Sequence, residues 1–159
     1  MKNGPIESGV EGRVGYQMKR AQHALRIALD EALREVGMTT AQYAALSALE
    51  TTPGLSGAEL ARRCFVKPQT MNAIVVNLES AGLVVRRPHP EHGRVLRAYL
   101  TGVGEELVPR AHGMVEAIER RMLKGLGQDE QRRLLDALRS CADALETSAE
   151  GATSELRAG

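Results

Sequence analysis

The chain has 159 residues, of which 43% are hydrophobic and 26% charged, as in a globular protein with a buried core. Only 3% are aromatic, which excludes a stacking platform for single-stranded nucleic acid, and two cysteines are too few for a disulfide framework or a cysteine-rich zinc site. The net charge is +1, but residues 56–101 hold seven basic and three acidic side chains, which indicates either a surface for an anionic polymer or a solvated surface.

The chain begins with a segment predicted to be a flexible arm, followed by one long helix. Residues 1–12 contain three glycines and one proline. From Val14 to Val36, apolar residues recur every three or four positions, which predicts an amphipathic helix. Gly37 is predicted to end it.

Two capping boxes predict the starts of the next two helices. The pattern T-x-x-Q at residues 39–42 predicts a helix from Thr40 to the turn at residues 51–54. The pattern S-x-x-E at residues 56–59 predicts a short helix that ends near Arg63.

A fourth helix is predicted from Pro68 to Ala81, because the fixed φ angle and missing N–H of proline suit the first helical position. Its inner side is apolar, with Met71, Ile74, Val75 and Leu78. Its outer side is small, polar and almost uncharged, with Gln69, Thr70, Asn72, Ala73, Val76 and Asn77. A solvated face is usually rich in Glu and Lys, whereas amides and hydroxyl groups suit base edges. The outer side is therefore a candidate DNA-reading face.

The rest of the chain is predicted to form a hairpin and two helices. Residues 83–87 and 94–100 read as strands around a loop that contains two prolines, which predicts a two-stranded hairpin with a basic rim. Apolar spacing predicts helices over residues 102–123 and 129–145, and residues 147–159 are predicted to be a polar tail.

Three short helices followed by a hairpin indicate a winged helix-turn-helix. The predicted fold class is mainly α with a small β-hairpin: a DNA-binding lobe at about residues 39–101, with dimerisation helices at about 13–36 and 102–146. The terminal helices carry apolar stripes that a small monomer cannot bury, which predicts a homodimer. These stripes include Leu25, Leu29, Leu134, Leu138 and Leu145.

Five segments carry a resemblance to a known family: MTTAQY at residues 38–43, LSGAELA at 55–61, LESAGLV at 78–84, GR at 93–94 and LTGVG at 100–104. In this order and spacing they resemble the MarR (multiple antibiotic resistance regulator) family of transcriptional regulators, over roughly residues 13–146. The resemblance implies a cytoplasmic repressor that binds a palindromic site on double-stranded DNA as a homodimer. It also implies a small aromatic or anionic effector, bound where the dimer helices meet the DNA-binding lobe.

The motif order and the resemblance together predict the DNA contacts. They are Lys67, Pro68, Gln69, Thr70, Asn72, Ala73, Asn77, Arg86, Arg87, Arg94 and Arg97. Arg86 and Arg87 are either phosphate contacts or structural pairs. Arg94 is either a wing-tip contact in a narrow minor groove or a solvent-exposed loop charge.

The chain departs from the family's pattern at three of its positions. Lys67 stands where the family often has a capping Ser, Ala73 where it often has an Arg, and His92 where the wing usually has an Asp. These departures leave the preferred DNA sequence open. Ala73 and the lost Ser cap also favour the alternative function, a dimeric protein-interaction module of the same fold without specific DNA binding, whereas the basic hairpin argues against it.

A few remaining residues are candidates for other roles. His23, Tyr43 and His112 either line a ligand pocket or are ordinary half-buried polar groups. Cys64 and Cys141 are expected on apolar helix faces, and a redox role for them stays open.

The sequence lacks the patterns of other function classes. It contains no nucleophile with a base, phosphate-binding loop or metal motif, so we expect neither catalysis nor a cofactor. It also contains no membrane-spanning stretch and no signal peptide, so we expect a cytoplasmic protein without membrane contact.

Overall fold

The computed structural model describes residues 9–155, with side chains described for residues 9–146. The helices are α1 (Val14–Leu33), α2 (Thr40–Thr51), α3 (Gly57–Arg63), α4 (Pro68–Ser80), α5 (Gly102–Met122) and α6 (Gln128–Glu155). The strands β1 (Leu55–Ser56), β2 (Val84–Pro88) and β3 (Leu96–Leu100) form an antiparallel sheet in the order β1-β3-β2. This element order confirms the predicted fold class, mainly α with a winged helix-turn-helix lobe.

Local signals in the sequence explain where the helices of this lobe begin. The Thr39 hydroxyl accepts the Gln42 N–H at 3.2 Å, and the Gln42 side chain accepts the Thr39 N–H at 2.9 Å. Ser56 and Glu59 form the same reciprocal pair at the start of α3. Both capping boxes therefore satisfy N–H groups that have no partner within the helix.

Three predicted elements differ from the observed ones by more than one residue. The second strand of the hairpin begins at Leu96 and not at Arg94, which lies in the loop. The first helix ends at Leu33 and not at Val36, because its last turn tightens into a 3₁₀ helix, Arg34–Val36, before Gly37 adopts a positive φ of 68°. The sheet has three strands and not two, since β1 pairs with β3 through Leu55↔Ala98. A strand of two residues is too short to show the alternation by which strands are predicted.

The two ends of the described chain also differ from the prediction. A short 3₁₀ helix, Val10–Gly12, lies in the segment predicted to be a flexible arm, and the rest of that segment, residues 1–8, lies outside the described residues. Helix α6 continues past Leu145 to Glu155, within the predicted polar tail. Alanines and glutamates, which are good helix formers, are frequent in this stretch.

The core lies in the first of two compact units, which ends at Glu119. Its largest fully buried side chains come from α1 to α5, and they are Leu33, Leu46, Leu49, Leu60, Met71, Leu78 and Val108. They bring α4 against the helices that precede it in the chain. Helix α4, which carries the candidate DNA-reading face and is called the recognition helix below, is therefore held by core packing, and one of its sides is left free.

Helix α5 begins in close contact with the end of the turn before β2. Thr101 donates its hydroxyl to the Gly82 carbonyl at 2.6 Å and accepts the Gly104 N–H at 3.1 Å. Gly104 is buried, and a Cβ atom there would overlap the carbonyl oxygen of Leu83. This position therefore requires glycine for a close approach, although its φ angle is not positive.

The apolar residues left exposed by the terminal helices are only partly those predicted. Leu29 is buried and Leu25 half-buried against the core of the same chain, so neither forms an exposed stripe. Helix α1 and the turn before it instead expose Val10, Val14, Tyr16, Met18 and Ile27. In the second unit, from Arg120 on, α6 exposes Leu134, Leu135, Leu138 and Leu145. No helix within residues 9–155 is long and apolar enough to cross a membrane.

Candidate DNA interface

Helix α4 presents the predicted reading face to solvent. Met71, Val75 and Leu78 are buried and Ile74 is half-buried, whereas Gln69, Thr70, Asn72, Ala73, Val76 and Asn77 are all exposed. Lys67 is the N-cap residue and makes no side-chain cap hydrogen bond, and Pro68 follows at the first helical turn. The first N–H groups of α4 and the Lys67 ammonium thus lie together at one exposed helix end, an arrangement that attracts phosphate.

The turn between α3 and α4 contains a feature that the sequence analysis missed. Phe65 has a φ of 55°, in the left-handed region, and is 92% exposed. The turn is closed by the Val66 N–H, which donates to the Ala61 carbonyl at 3.0 Å. A non-glycine residue in this conformation costs roughly 1–2 kcal/mol, so the packing of α3 against α4 holds the turn in place.

The hairpin of β2 and β3 forms the wing. Its register pairs Arg87 with Arg97 and Arg86 with Ala98, and its loop contains Arg94, which is exposed. Arg87 is also exposed, and its guanidinium carbon lies 5.6 Å from the centre of the Tyr99 ring. A cation resting on an aromatic face keeps its outer N–H groups free for a phosphate.

Arg86 is held by the recognition helix. Its Nε and one terminal nitrogen donate to the same Glu79 carboxylate oxygen, at 3.0 Å and 2.6 Å. These hydrogen bonds, above all, hold the pKa of Glu79 below its usual value. Of the two roles predicted for Arg86, the geometry supports the structural pair, and its contact with phosphate stays a prediction.

Arg97 is also occupied within the protein. It donates to the Gly54 carbonyl at 2.6 Å and lies 3.7 Å from a carboxylate oxygen of Glu59, the residue that caps α3. Its Nε is buried and has no hydrogen-bond partner among the described residues. Arg97 therefore links the wing to the start of the helix-turn-helix, and its predicted contact with DNA is untested.

The three predicted ligand residues do not come together as a set. The Tyr43 hydroxyl lies 2.7 Å from His112 Nδ1, and His112 Nε2 lies 2.7 Å from Glu50. A carboxylate only accepts hydrogen bonds. A neutral His112 therefore donates a hydrogen bond from Nε2 to Glu50 and accepts one at Nδ1 from the Tyr43 hydroxyl. His23 is exposed on α1, and no hydrogen bond within the described part of the chain joins it to this pair.

Acidic side chains surround the tyrosine of this pair. Burial is the main cause that raises the pKa of Tyr43 above its usual value, and Glu119, Glu50 and Glu116 raise it further. These carboxylates oppose an anionic ligand next to Tyr43, whereas Arg63, which lines the same small pocket as Tyr43, favours one.

A groove that the sequence analysis missed lies between α1, the start of α2 and the turn after α3. It has a volume of about 770 Å³ and is lined by Leu25, Arg26, Leu29, Asp30, Arg34, Met38, Thr40, Cys64, Phe65 and others. Asp30 anchors one wall, since it accepts the Thr40 N–H at 2.9 Å and the Thr40 hydroxyl at 2.7 Å. The groove joins residues of three separate segments, so no local pattern in the sequence could have revealed it.

The two cysteines are in different surroundings. Cys64 is half-buried, and burial raises the pKa of its thiol, which keeps the thiol protonated and weakly nucleophilic. Cys141 is exposed on α6, where an apolar position was expected. Among the described residues, no cluster of three or more His, Cys, Asp and Glu is placed to hold a metal ion.

Comparison with known proteins agrees with this geometry. The model of the MarR family matches residues 36–95. The transcriptional repressor Rv2887 of Mycobacterium tuberculosis is 40% identical over 130 residues, which cover 80% of this chain and 94% of the repressor. The chain belongs to the MarR family.

Solved structures of MarR family proteins superimpose on most of the chain. The structure of Rv2887 in complex with salicylic acid superimposes with a TM-score of 0.68 at 38% sequence identity. The matched region covers 81% of this chain and 96% of the Rv2887 chain. The repressor CouR, bound to a 23-mer DNA duplex, has a TM-score of 0.79 at 29% identity and covers 85% of this chain and 96% of its own. The match to named regulators confirms the predicted class, a MarR-type transcriptional regulator.

Proposed function

We propose that the chain is a ligand-responsive MarR repressor that binds a palindromic promoter site as a homodimer in the cytoplasm. The observation that carries this proposal is the exposed face of α4, which presents amide and hydroxyl groups to solvent. Two cations accompany it: Lys67 at the start of α4 and Arg94 in the loop of the wing. Amides read base edges in the major groove, and cations at the helix start and wing hold the flanking phosphates. The structure of the similar repressor CouR, which is bound to a DNA duplex, supports the proposed binding to DNA.

Dimerisation is needed for a palindromic site, because a twofold axis places two reading helices about one DNA turn apart. The apolar side chains that α1 and α6 leave exposed supply a surface for it, and exposed leucines in such number are unusual for a monomer. MarR family membership supports this assembly.

The groove beside α1 is the better place for an anionic effector. Its polar lining includes the guanidinium groups of Arg26 and Arg34, and much of the remaining lining is apolar. Arg26 lies 3.5 Å from Asp30, so Arg34 is the guanidinium that we assign to a ligand carboxylate. Tyr43 and His112 stay predicted ligand residues.

The proposed regulation follows from the position of this groove. Its wall includes Cys64, Phe65 and Val66, which lead directly into the N-cap of α4. A ligand that binds more tightly to a dimer with the wrong helix spacing shifts the population away from the DNA-binding form. The proposal assigns no chemical reaction to the chain.

Footprinting of the protein on the DNA around its own gene tests the proposal. We expect a protected palindrome, binding that weakens steeply with salt, and release by salicylic acid, the compound held by the relative Rv2887. An Arg34→Ala variant should bind the same DNA and resist release. Binding that is equally weak on every DNA fragment would instead favour the protein-interaction module.

A further inference from the structure

The wing tip is a short loop between β2 and β3 that is closed by two backbone hydrogen bonds. The His89 N–H donates to the Val95 carbonyl at 2.8 Å, and the Val95 N–H donates to the His92 carbonyl at 2.8 Å. Arg94 lies inside the loop closed by these bonds. The position of this cation therefore depends on the shape of the loop.

One side chain supports the loop from within. His89 is half-buried, and its Nδ1 accepts the N–H of Glu91 at 3.1 Å and the N–H of His92 at 3.2 Å. Pro90 has no N–H, so these two are the first backbone donors after His89. The imidazole thus acts as an Asn or Asp side chain does when it caps a turn.

This support requires a neutral ring, because a protonated imidazole carries a hydrogen on both nitrogens and has no acceptor. The charged groups around the ring mostly oppose protonation. Partial burial, then Arg97 on β3 and His92 in the loop, lower the pKa of His89, and Glu59 on α3 acts in the opposite direction. The His89 and His92 rings are stacked with their centres 5.1 Å apart.

We propose that His89 is the positioning residue of the wing: its neutral ring holds the loop in the form that presents Arg94 to DNA, and protonation of the ring releases the loop. This inference rests on the DNA binding proposed above. The response to pH has a diagnostic sign. Protonation adds a positive charge to the wing, and this charge by itself would tighten DNA binding as the pH falls. Release of the loop moves Arg94 away from DNA, so it weakens binding as the pH falls.

The test compares wild type with His89→Asn and His89→Ala at constant ionic strength, at about pH 8 and about pH 5.5. Asparagine keeps an acceptor for the two N–H groups but does not titrate, and alanine removes the acceptor at both pH values. His92→Asn is the matched control, since it removes the neighbouring titratable ring and leaves Nδ1 of His89 in place. Thermal unfolding of each variant checks that the lobe remains folded.

We expect wild type and His89→Asn to bind operator DNA equally at the higher pH, and wild type to be weaker by about three- to tenfold at the lower pH. His89→Ala should be weaker by a similar factor at both pH values. His92→Asn should lose at least as much binding at the lower pH as wild type does, because His92 lowers the pKa of His89. If His89→Ala matches wild type at the higher pH, or if wild type binds more tightly than His89→Asn at the lower pH, the proposal is wrong.

A measurement without DNA separates this inference from the proposed function. In wild type, the backbone amide NMR signals of Glu91 and His92 should shift together with the titration of the His89 ring, and their protection from hydrogen exchange, relative to an unfolded peptide at the same pH, should fall at low pH. In the double variant His89→Asn, His92→Asn, which has no titratable ring in the loop, both signals should stay constant. If the amide signals shift with the titration of the His89 ring but the protein binds no DNA, only the proposed function is wrong. If the amide signals do not shift with that titration, the proposed role of His89 is wrong.

Discussion

Arg86 on β2 and Glu79 in the last turn of α4 form two hydrogen bonds through a single carboxylate oxygen, so the wing is fixed to the recognition helix. The two elements that are proposed to contact DNA at the same time therefore keep one relative orientation. A guanidinium that is engaged in this way positions the wing, and its contact with phosphate stays a prediction.

This relationship predicts the behaviour of Glu79→Ala. The variant should bind operator DNA several-fold more weakly, because the wing and α4 no longer hold one orientation, but the slope of log affinity against log salt should stay constant, since no phosphate contact is lost. Titration of DNA binding at several salt concentrations measures both quantities. If Arg86 is a phosphate contact, Arg86→Ala will instead lower the slope by about one unit per subunit.

Arg94→Ala should have the opposite signature. Because the contact predicted for Arg94 is mainly electrostatic, the variant should weaken binding to operator and unrelated DNA by similar factors and lower the salt slope by about one unit per subunit. Arg110→Ala, which removes an exposed cation of α5 that is not among the predicted DNA contacts, is the control and should leave the slope unchanged. An unchanged slope and affinity in Arg94→Ala would show that the wing tip does not reach DNA.

Exposed leucines on α6 predict a dimer that a single charge disrupts. Leu138→Glu should shift the protein from dimer to monomer or aggregate, because it places a carboxylate within the exposed apolar stripe of α6. Arg139→Ala, at the neighbouring position, should remain dimeric. Sedimentation analysis across a range of protein concentrations distinguishes the two, and a fully dimeric Leu138→Glu protein would place the interface elsewhere.

The predictions that succeeded from sequence rest on local signals. The inner and outer faces of α4 follow from helical periodicity, and the starts of α2 and α3 follow from side chains three residues apart. Such signals need no knowledge of the rest of the chain. The exposed face of α4 could therefore be predicted residue by residue without its neighbours in the fold, and its role in reading DNA stays a prediction.

The features that sequence reasoning missed depend on distant residues. The hydrogen bond from Arg97 to Gly54 joins positions 43 residues apart. It engages within the protein a residue whose contact with DNA stays a prediction. The packing of α3 against α4 holds Phe65 in a left-handed backbone conformation, although a non-glycine residue disfavours a positive φ angle. Neither feature leaves a pattern in a single sequence.

The contact between α5 and Leu83 predicts a strong difference between two glycines of one helix. Gly104→Ala should destabilise the protein by roughly 1–3 kcal/mol, because its methyl group would overlap a backbone oxygen that cannot move freely. Gly113→Ala is the matched control, since nothing lies near its added Cβ and alanine favours a helix over glycine by about 1 kcal/mol. Denaturant unfolding measures both, and equal stability of the two variants would contradict the close approach.

The most specific prediction concerns the DNA sequence that α4 reads. Within its outward face the only cation is Lys67, at the start, and the exposed side chains Gln69 and Asn72 are amides. Guanine is most often read by Arg or Lys, whereas Asn and Gln pair through two hydrogen bonds with adenine. We therefore expect half-sites whose central major-groove contacts are A·T pairs.

Selection of binding sites from a random DNA pool, with wild type and two variants, tests this expectation. Asn72→Ala should lose roughly 1–3 kcal/mol of binding to the preferred site and much less to random DNA, because it removes a base contact. Lys67→Ala should weaken both by similar factors, because its contact is with phosphate. If the selected half-sites have G·C cores and Asn72→Ala leaves their ranking intact, the exposed amides of α4 do not read bases.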